Sequence, residues 1–124
     1  MAEGWGPQGA GTALDALASG YRWIKLHLTA PGAAGTSGPS AETIRKQATF
    51  ASTGTDGIFE NTAALTWTNI AGSEDSTKFT AWSLDHPSTA GFGFSGTITA
   101  NAYVAGDTYE VAIGALTASV TLAS

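Results

Sequence analysis

The sequence predicts a mainly β domain, an antiparallel sandwich or barrel of about seven strands, with a short helix and an extended arm at its N-terminal end. Three observations predict it. Residues 23–29 alternate strictly, with Ile24, Leu26 and Leu28 on one side and Lys25, His27 and Thr29 on the other, as the two-residue period of a strand requires. Turn residues then recur about every 8–15 positions, the spacing of a sandwich or barrel. Helical spacing is confined to one short stretch ahead of the first strand.

Residues 1–11 read as a flexible N-terminal arm, rich in glycine, with Pro7 and a single large apolar residue, Trp5. Residues 12–124 form the domain. Within it, residues 12–20 read as a helix in which Thr12 caps, Asp15 stands three residues later and Gly20 stops the run. Leu14 and Leu17 form its buried stripe. A helix this short is marginal alone, so it must pack on the sheet.

After the first strand, residues 30–41 form a loop of small residues carrying Pro31 and Pro39. Loops of that length without periodicity are functional or mobile. Residues 42–51 alternate again, placing Ile44, Ala48 and Phe50 on one face and Thr43, Arg45, Gln47 and Thr49 on the other. Lys46 falls on the apolar face, where an inward charge discourages edge pairing. Leu65 and Trp67 are in phase in a third strand. Phe79 and Ala81 oppose Trp82 and Leu84 in a fourth. Phe92, Phe94 and Ile98 are in phase in a fifth, and the chain closes on a last pair, Tyr109/Val111/Ile113 and Leu116/Ala118/Val120/Leu122. No internal repeat is visible.

Composition bounds the function. A chain of 124 residues makes one domain that buries about two-thirds of its unfolded surface. Charged residues are only 12%, with hydroxyls and small side chains in their place, and the formal charge is −5. Arg45 and Lys46 are the only basic pair, too few for a nucleic-acid partner. There is no cysteine, hence no disulfide or thiolate metal site. Residues 1–11 lack the basic stretch and apolar core of a secretion signal, and no run approaches the length of a membrane span.

The motifs that suggest chemistry fail on context. Gly91, Gly93 and Gly96 match G-x-G-x-x-G, but the dinucleotide use of that pattern opens a helix, and here β-like residues follow. Those glycines instead let another backbone approach closely. A hydrolase triad needs a histidine between a nucleophile and a carboxylate. Only His27 and His86 exist, the one on a strand face and the other in a turn before proline. Asp56 with Glu60, and Glu74 with Asp75, read as solvated turns, since calcium needs six to eight oxygens. No catalytic residue, cofactor or metal is expected. Trp23 and Trp82 each stand opposite an apolar set, so both faces of their strands are covered, by the helix or by another subunit.

The order of elements resembles a family of small β-rich virion proteins of tailed bacteriophages, described as tail-fibre-like, minor capsid or capsid decoration proteins and frequent in phages of actinobacteria. The matching stretches are residues 13–32, 45–50, 61–67, 79–84 and 105–122. They include the small-residue helix, Leu26-His27 before Pro31-Gly32, Arg45 with Gln47 to Phe50, and the run around Trp67. Thr29-Ala30, the extra Lys46 and the glycine-rich arm depart from the pattern. The resemblance implies a non-enzymatic structural role in the virion, made in the host cytoplasm. A fibre needs shaft repeats or a coiled coil, and neither is visible. The leading expectation is therefore a capsid decoration (cement) protein on the head exterior. Its partners would be the phage major capsid protein and copies of itself, as a homo-oligomer such as a trimer. The alternative is a tail-tip, baseplate or fibre-associated domain that binds host glycan through Trp23 or Trp82. Candidate contact residues are Trp5, Pro7, Trp23, Pro31, Pro39, Arg45, Lys46 and Trp82.

Overall fold

The structure, a computed structural model of the chain, describes residues 6–52, 58–83, 91–99 and 102–119. A helix α1 (Pro7–Gly20) precedes strands β1 (Trp23–His27), β2 (Lys46–Gln47), β3 (Phe50–Ser52), β4 (Ile58–Asn61), β5 (Leu65–Trp67), β6 (Lys78–Trp82), β7 (Phe92–Ile98), β8 (Tyr109–Val111) and β9 (Leu116–Ser119). The mainly β, antiparallel expectation is borne out.

The helix begins five residues earlier than the sequence suggests. Gly6 is its N-cap and Pro7 its first residue. The fixed φ of proline suits the first turn, where its missing N–H costs nothing. Thr12 therefore does not cap. It lies inside the helix, and its hydroxyl donates back to the Gln8 carbonyl at 3.2 Å. Leu14 is buried and Leu17 and Tyr21 are partly buried, docking α1 on β3 and β7. That packing offsets interior glycines, each of which costs a helix roughly 0.5–1 kcal/mol against alanine.

Seven strands form one sheet in the order β2-β1-β6-β7-β9-β4-β3. Its two edge strands are consecutive in the chain, separated only by Ala48 and Thr49, a span of about 7 Å at most. The Ala48 N–H donates to Arg22 on the β1 side (2.7 Å), and Thr49 accepts from Thr62 on the β4 side (2.8 Å). One bent segment thus pairs first with one end of the sheet and then with the other, curling the sheet round on itself. That segment was expected as a single strand. Because it becomes a regular strand only at Lys46, Ile44 is exposed and Arg45 buried, the reverse of the expected alternation.

Register places side chains that face each other across a pair on the same side of a sheet. Ile24 and Leu26 of β1 meet Ala81 and Phe79 of β6, which meet Phe94 and Gly96 of β7. This inner face is the core. Phe79 and Phe50 both stand edge-on to Phe94, at 6.0 and 5.8 Å between centroids. Gly96 must be glycine, since a Cβ there would strike the Thr117 carbonyl and the Phe79 ring. Phe92 departs from its expected phase. Ala81 pairs Phe94 and Trp82 pairs Phe92, so Gly93 is an extra residue in β7. A bulge of one residue switches faces. Phe92 therefore leaves the core and lies on Trp82, with centroids 5.3 Å apart.

The outer face of β1 and β6 is covered by the loop of residues 30–41 and the stretch that follows. The loop is hydrogen-bonded to β1 and buries Pro31, Gly35 and Ser40, while most of its other residues face solvent. Leu28 N–H donates to Gly38 at 2.8 Å and Ser40 N–H to Leu26 at 3.1 Å. Gly35, at φ +74, has a Cβ position only 2.7 Å from the Phe92 ring, so no side chain fits.

A second, two-stranded sheet pairs β5 with β8. It buries Leu65, Trp67, Tyr109 and Val111 and leaves Thr66 and Glu110 outside. The final two strands, read as a pair, separate: β8 joins β5, while β9 lies between β7 and β4. Ile113 is exposed because β8 ends at Val111 and Gly114 turns the chain at φ +81. Asn61 joins the two sheets. Its amide donates to the Ala63 and Ala112 carbonyls (2.8 and 3.0 Å), and its carbonyl oxygen accepts the Leu116 N–H at 3.0 Å.

Candidate functional site

Two polar seams and one cleft hold the chemistry of the described residues. The first seam runs under the covering loop. His27 is fully buried, with Nδ1 2.8 Å from the Ser37 carbonyl and Nε2 2.9 Å from Thr80 Oγ1. A carbonyl only accepts, so Nδ1 carries the hydrogen. Trp82 Nε1 donates to Thr80 Oγ1 at 2.6 Å, leaving the threonine hydrogen to donate to His27 Nε2. The chain Trp82–Thr80–His27–Ser37 is complete with a neutral ring. Burial holds the His27 pKa below its ordinary value, and the charge of Lys25 adds to the effect against the Ser37 hydrogen bond. A hydroxyl beside an imidazole suggests a nucleophile and base, but both residues are inaccessible and the other ring nitrogen meets a carbonyl instead of a carboxylate. This arrangement fastens the loop to β1 and β6.

Arg45 lies over the Trp82 ring, with its guanidinium carbon 4.3 Å from the centroid. Lys25 stands on the same outer face. Its Nζ is buried and has no hydrogen-bond partner among the described residues. Burial lowers its pKa, Arg45 lowers it further, and Glu42 and Glu74 oppose the shift.

The second seam joins the loop to the second sheet. Glu74 Oε1 accepts from Ser40 Oγ (2.6 Å), from the Ala41 N–H (2.9 Å) and from the Tyr103 hydroxyl (3.2 Å). The Tyr103 hydroxyl also meets Ser76 Oγ at 2.7 Å. Glu74 and Tyr103 exchange both backbone hydrogen bonds, at 2.9 and 3.1 Å. Sequence reasoning took Glu74 for a solvated turn residue. A single acid in a loop gives no sign that a distant tyrosine will reach it.

Tyr103 continues into the cleft. Its ring lies 4.5 Å from that of Tyr109, and the two line an open cavity of about 360 Å³ with Thr99, Asp107, Thr108 and Glu110. Burial pushes the Tyr109 hydroxyl up to about 12, with Tyr103 and Asp75 adding to the shift. Burial also raises Tyr103. The sequence reading placed Tyr109 in a core strand and passed over Tyr103. The available signal was two tyrosines flanking a Gly106-Asp107-Thr108 turn.

Of the expected contact residues, Trp23, Arg45 and Trp82 are brought together on the outer face, with Trp23 opposite Trp82 in register. Arg45 and Trp82 are buried and Trp23 is half-buried. Pro31 is buried in the covering loop, whereas Pro39 is exposed beside His27. Lys46 is half-buried and pairs Ile24. Pro7 starts the helix. Trp5, His86 and Asp56 lie outside the described residues. No three His, Cys, Asp or Glu among the described residues are placed to hold a metal, and no helix among them is long and apolar enough to cross a membrane.

Among the described residues, fold and site define a small β scaffold whose buried polar side chains mostly brace one layer on another, with an open acidic cleft. A family profile described as podophage GP4 fiber I protein gp80 matches residues 11–119. The chain belongs to this family of phage fibre proteins, a component of the virion. No curated protein and no solved structure matches it.

Proposed function

We propose that the protein is a non-enzymatic fibre subunit or fibre-associated domain, which holds its neighbours through surfaces outside the two seams and presents its cleft to the host. The observation that supports this is the family match over residues 11–119. The bracing agrees with it. A subunit of an assembly must keep its shape under load, and hydrogen-bonded networks such as those around His27 and Glu74 rigidify a fold.

A second reading, a capsid decoration protein seated in many copies on the major capsid protein, is favoured by shape. The described residues form short strands and one helix, with no shaft repeat or coiled coil to extend them. Copy number separates the readings. Purified virions split into heads and tails, with the protein quantified by mass spectrometry, should place a small number of copies per particle with tails and fibres. Hundreds of copies fractionating with heads would establish decoration instead.

A further inference from the structure

We propose that the cleft beside β8 binds a neutral sugar. The inference deepens the fibre reading and rests on it. Trp82, expected as a glycan platform, is buried beneath Arg45. Tyr103 and Tyr109 form the largely buried floor of a different opening, whose exposed walls include Thr99, Asp107, Thr108 and Glu110. The cavity, about 360 Å³, is at the small end of ligand pockets and suits one or two sugar rings.

Its chemistry selects the ligand. Asp107 and Glu110 offer carboxylate acceptors, and Thr99 and Thr108 offer hydroxyls that donate and accept. No Lys, Arg or His lines it, so phosphate, sulfate and acidic sugars are repelled. A lysine ammonium only donates, so a lysine-bearing peptide must turn a separate backbone carbonyl to the threonine hydrogens. A ring carrying several hydroxyls answers both kinds of group.

The cleft is also built in advance. Tyr103 is fixed by its hydroxyl bonds to Ser76 and Glu74 and by the paired backbone bonds to Glu74. Asp107 accepts the Val104 N–H at 3.2 Å, and its carbonyl accepts the Ile70 N–H at 2.9 Å. Across the cleft, the Thr99 N–H is held by the Ala115 carbonyl at 2.8 Å. Walls fixed before binding remove part of the ordering cost.

The test is an amide-resonance titration of the whole, isotope-labelled chain with glucose, galactose, N-acetylglucosamine, maltose and lactose, and with trilysine as the competing class. At least one sugar should give saturable shifts at Thr99 and at Thr108 to Glu110, with Leu26 and Phe79 unmoved. Glu110→Gln should weaken that binding at least tenfold while leaving the remaining spectrum intact, and Thr108→Val should weaken it independently. Silence with every sugar, unchanged binding by Glu110→Gln, or shifts with trilysine alone each overturns the proposal. Location on the particle is measured separately. A silent cleft on a fibre-located protein rejects only the sugar site, whereas sugar binding by a protein found on heads rejects the fibre reading.

Discussion

His27 is a buried histidine whose bond with Thr80, in which Nε2 accepts, requires the neutral ring. Protonation would put a second hydrogen on Nε2, against a threonine oxygen that already accepts from Trp82. Lys25 on the same face, Lys78 opposite His27 in register and Arg45 over Trp82 add positive charge nearby, with Glu42 and Glu74 opposing them at Lys25. The folded pKa lies below the ordinary 6.5, so the unfolded chain takes up the proton first. Stability is therefore full above about pH 6.5 and declines as pH falls towards the folded value. Urea midpoints measured between pH 7.5 and 5 should drop, and His27→Gln should flatten that slope while lowering the midpoint at neutral pH. Tyr109 works from the other side. With its hydroxyl pushed up to about 12, the neutral form is the folded one, and stability declines as pH rises from about 10 through that value. An ultraviolet titration should show Tyr109 ionising later than in Tyr109→Phe difference spectra of the unfolded chain. Asn61→Ala removes the partner of a buried Leu116 N–H together with both amide bonds. It should cost about 2–4 kcal/mol, since each orphaned buried group costs about 1–3.

At the scale of elements, Gly96 and Gly93 show why strands were easier to recognise than to place. Gly96→Ala meets backbone as well as ring, so it should destabilise by about 1–3 kcal/mol or more, read as a lower thermal midpoint. Periodicity identified strands β1, β5, β6, β7, β8 and the start of β9 because alternation is a local property. It misassigned Phe92 because a one-residue bulge is invisible to a period of two. It misassigned Ile44 and Arg45 because the bend at Ala48 and Thr49 is imposed by two sheet ends, each far away in sequence. The helix start was missed at Pro7 because surrounding glycines argue for an arm until packing is counted. Leu14→Ala tests that packing. Loss of this buried side chain should cost about 2–5 kcal/mol and lower helical circular dichroism before global unfolding. The cleft was least legible, since its walls come from residues after β7 and from β8, brought together by Glu74 and Ile70.

At the scale of the whole molecule, the low charge, the covered outer face and the curled sheet have one physical consequence. Little of the buried polar chemistry is accessible, and what reaches solvent among the described residues is mostly hydroxyl, small and acidic, with Ile44, Val104 and Ile113 as exposed apolar side chains. Under the fibre reading proposed above, such a domain would hold its neighbours by shape and surface contacts, and even a few copies on one particle raise avidity without new contacts. Labelling intact virions with a gold-conjugated antibody against this chain, viewed by electron microscopy, tests that account most directly. Gold on the fibres of most particles is the predicted result. Particles that carry no gold anywhere, from a phage stock in which the protein is abundantly expressed, would contradict it.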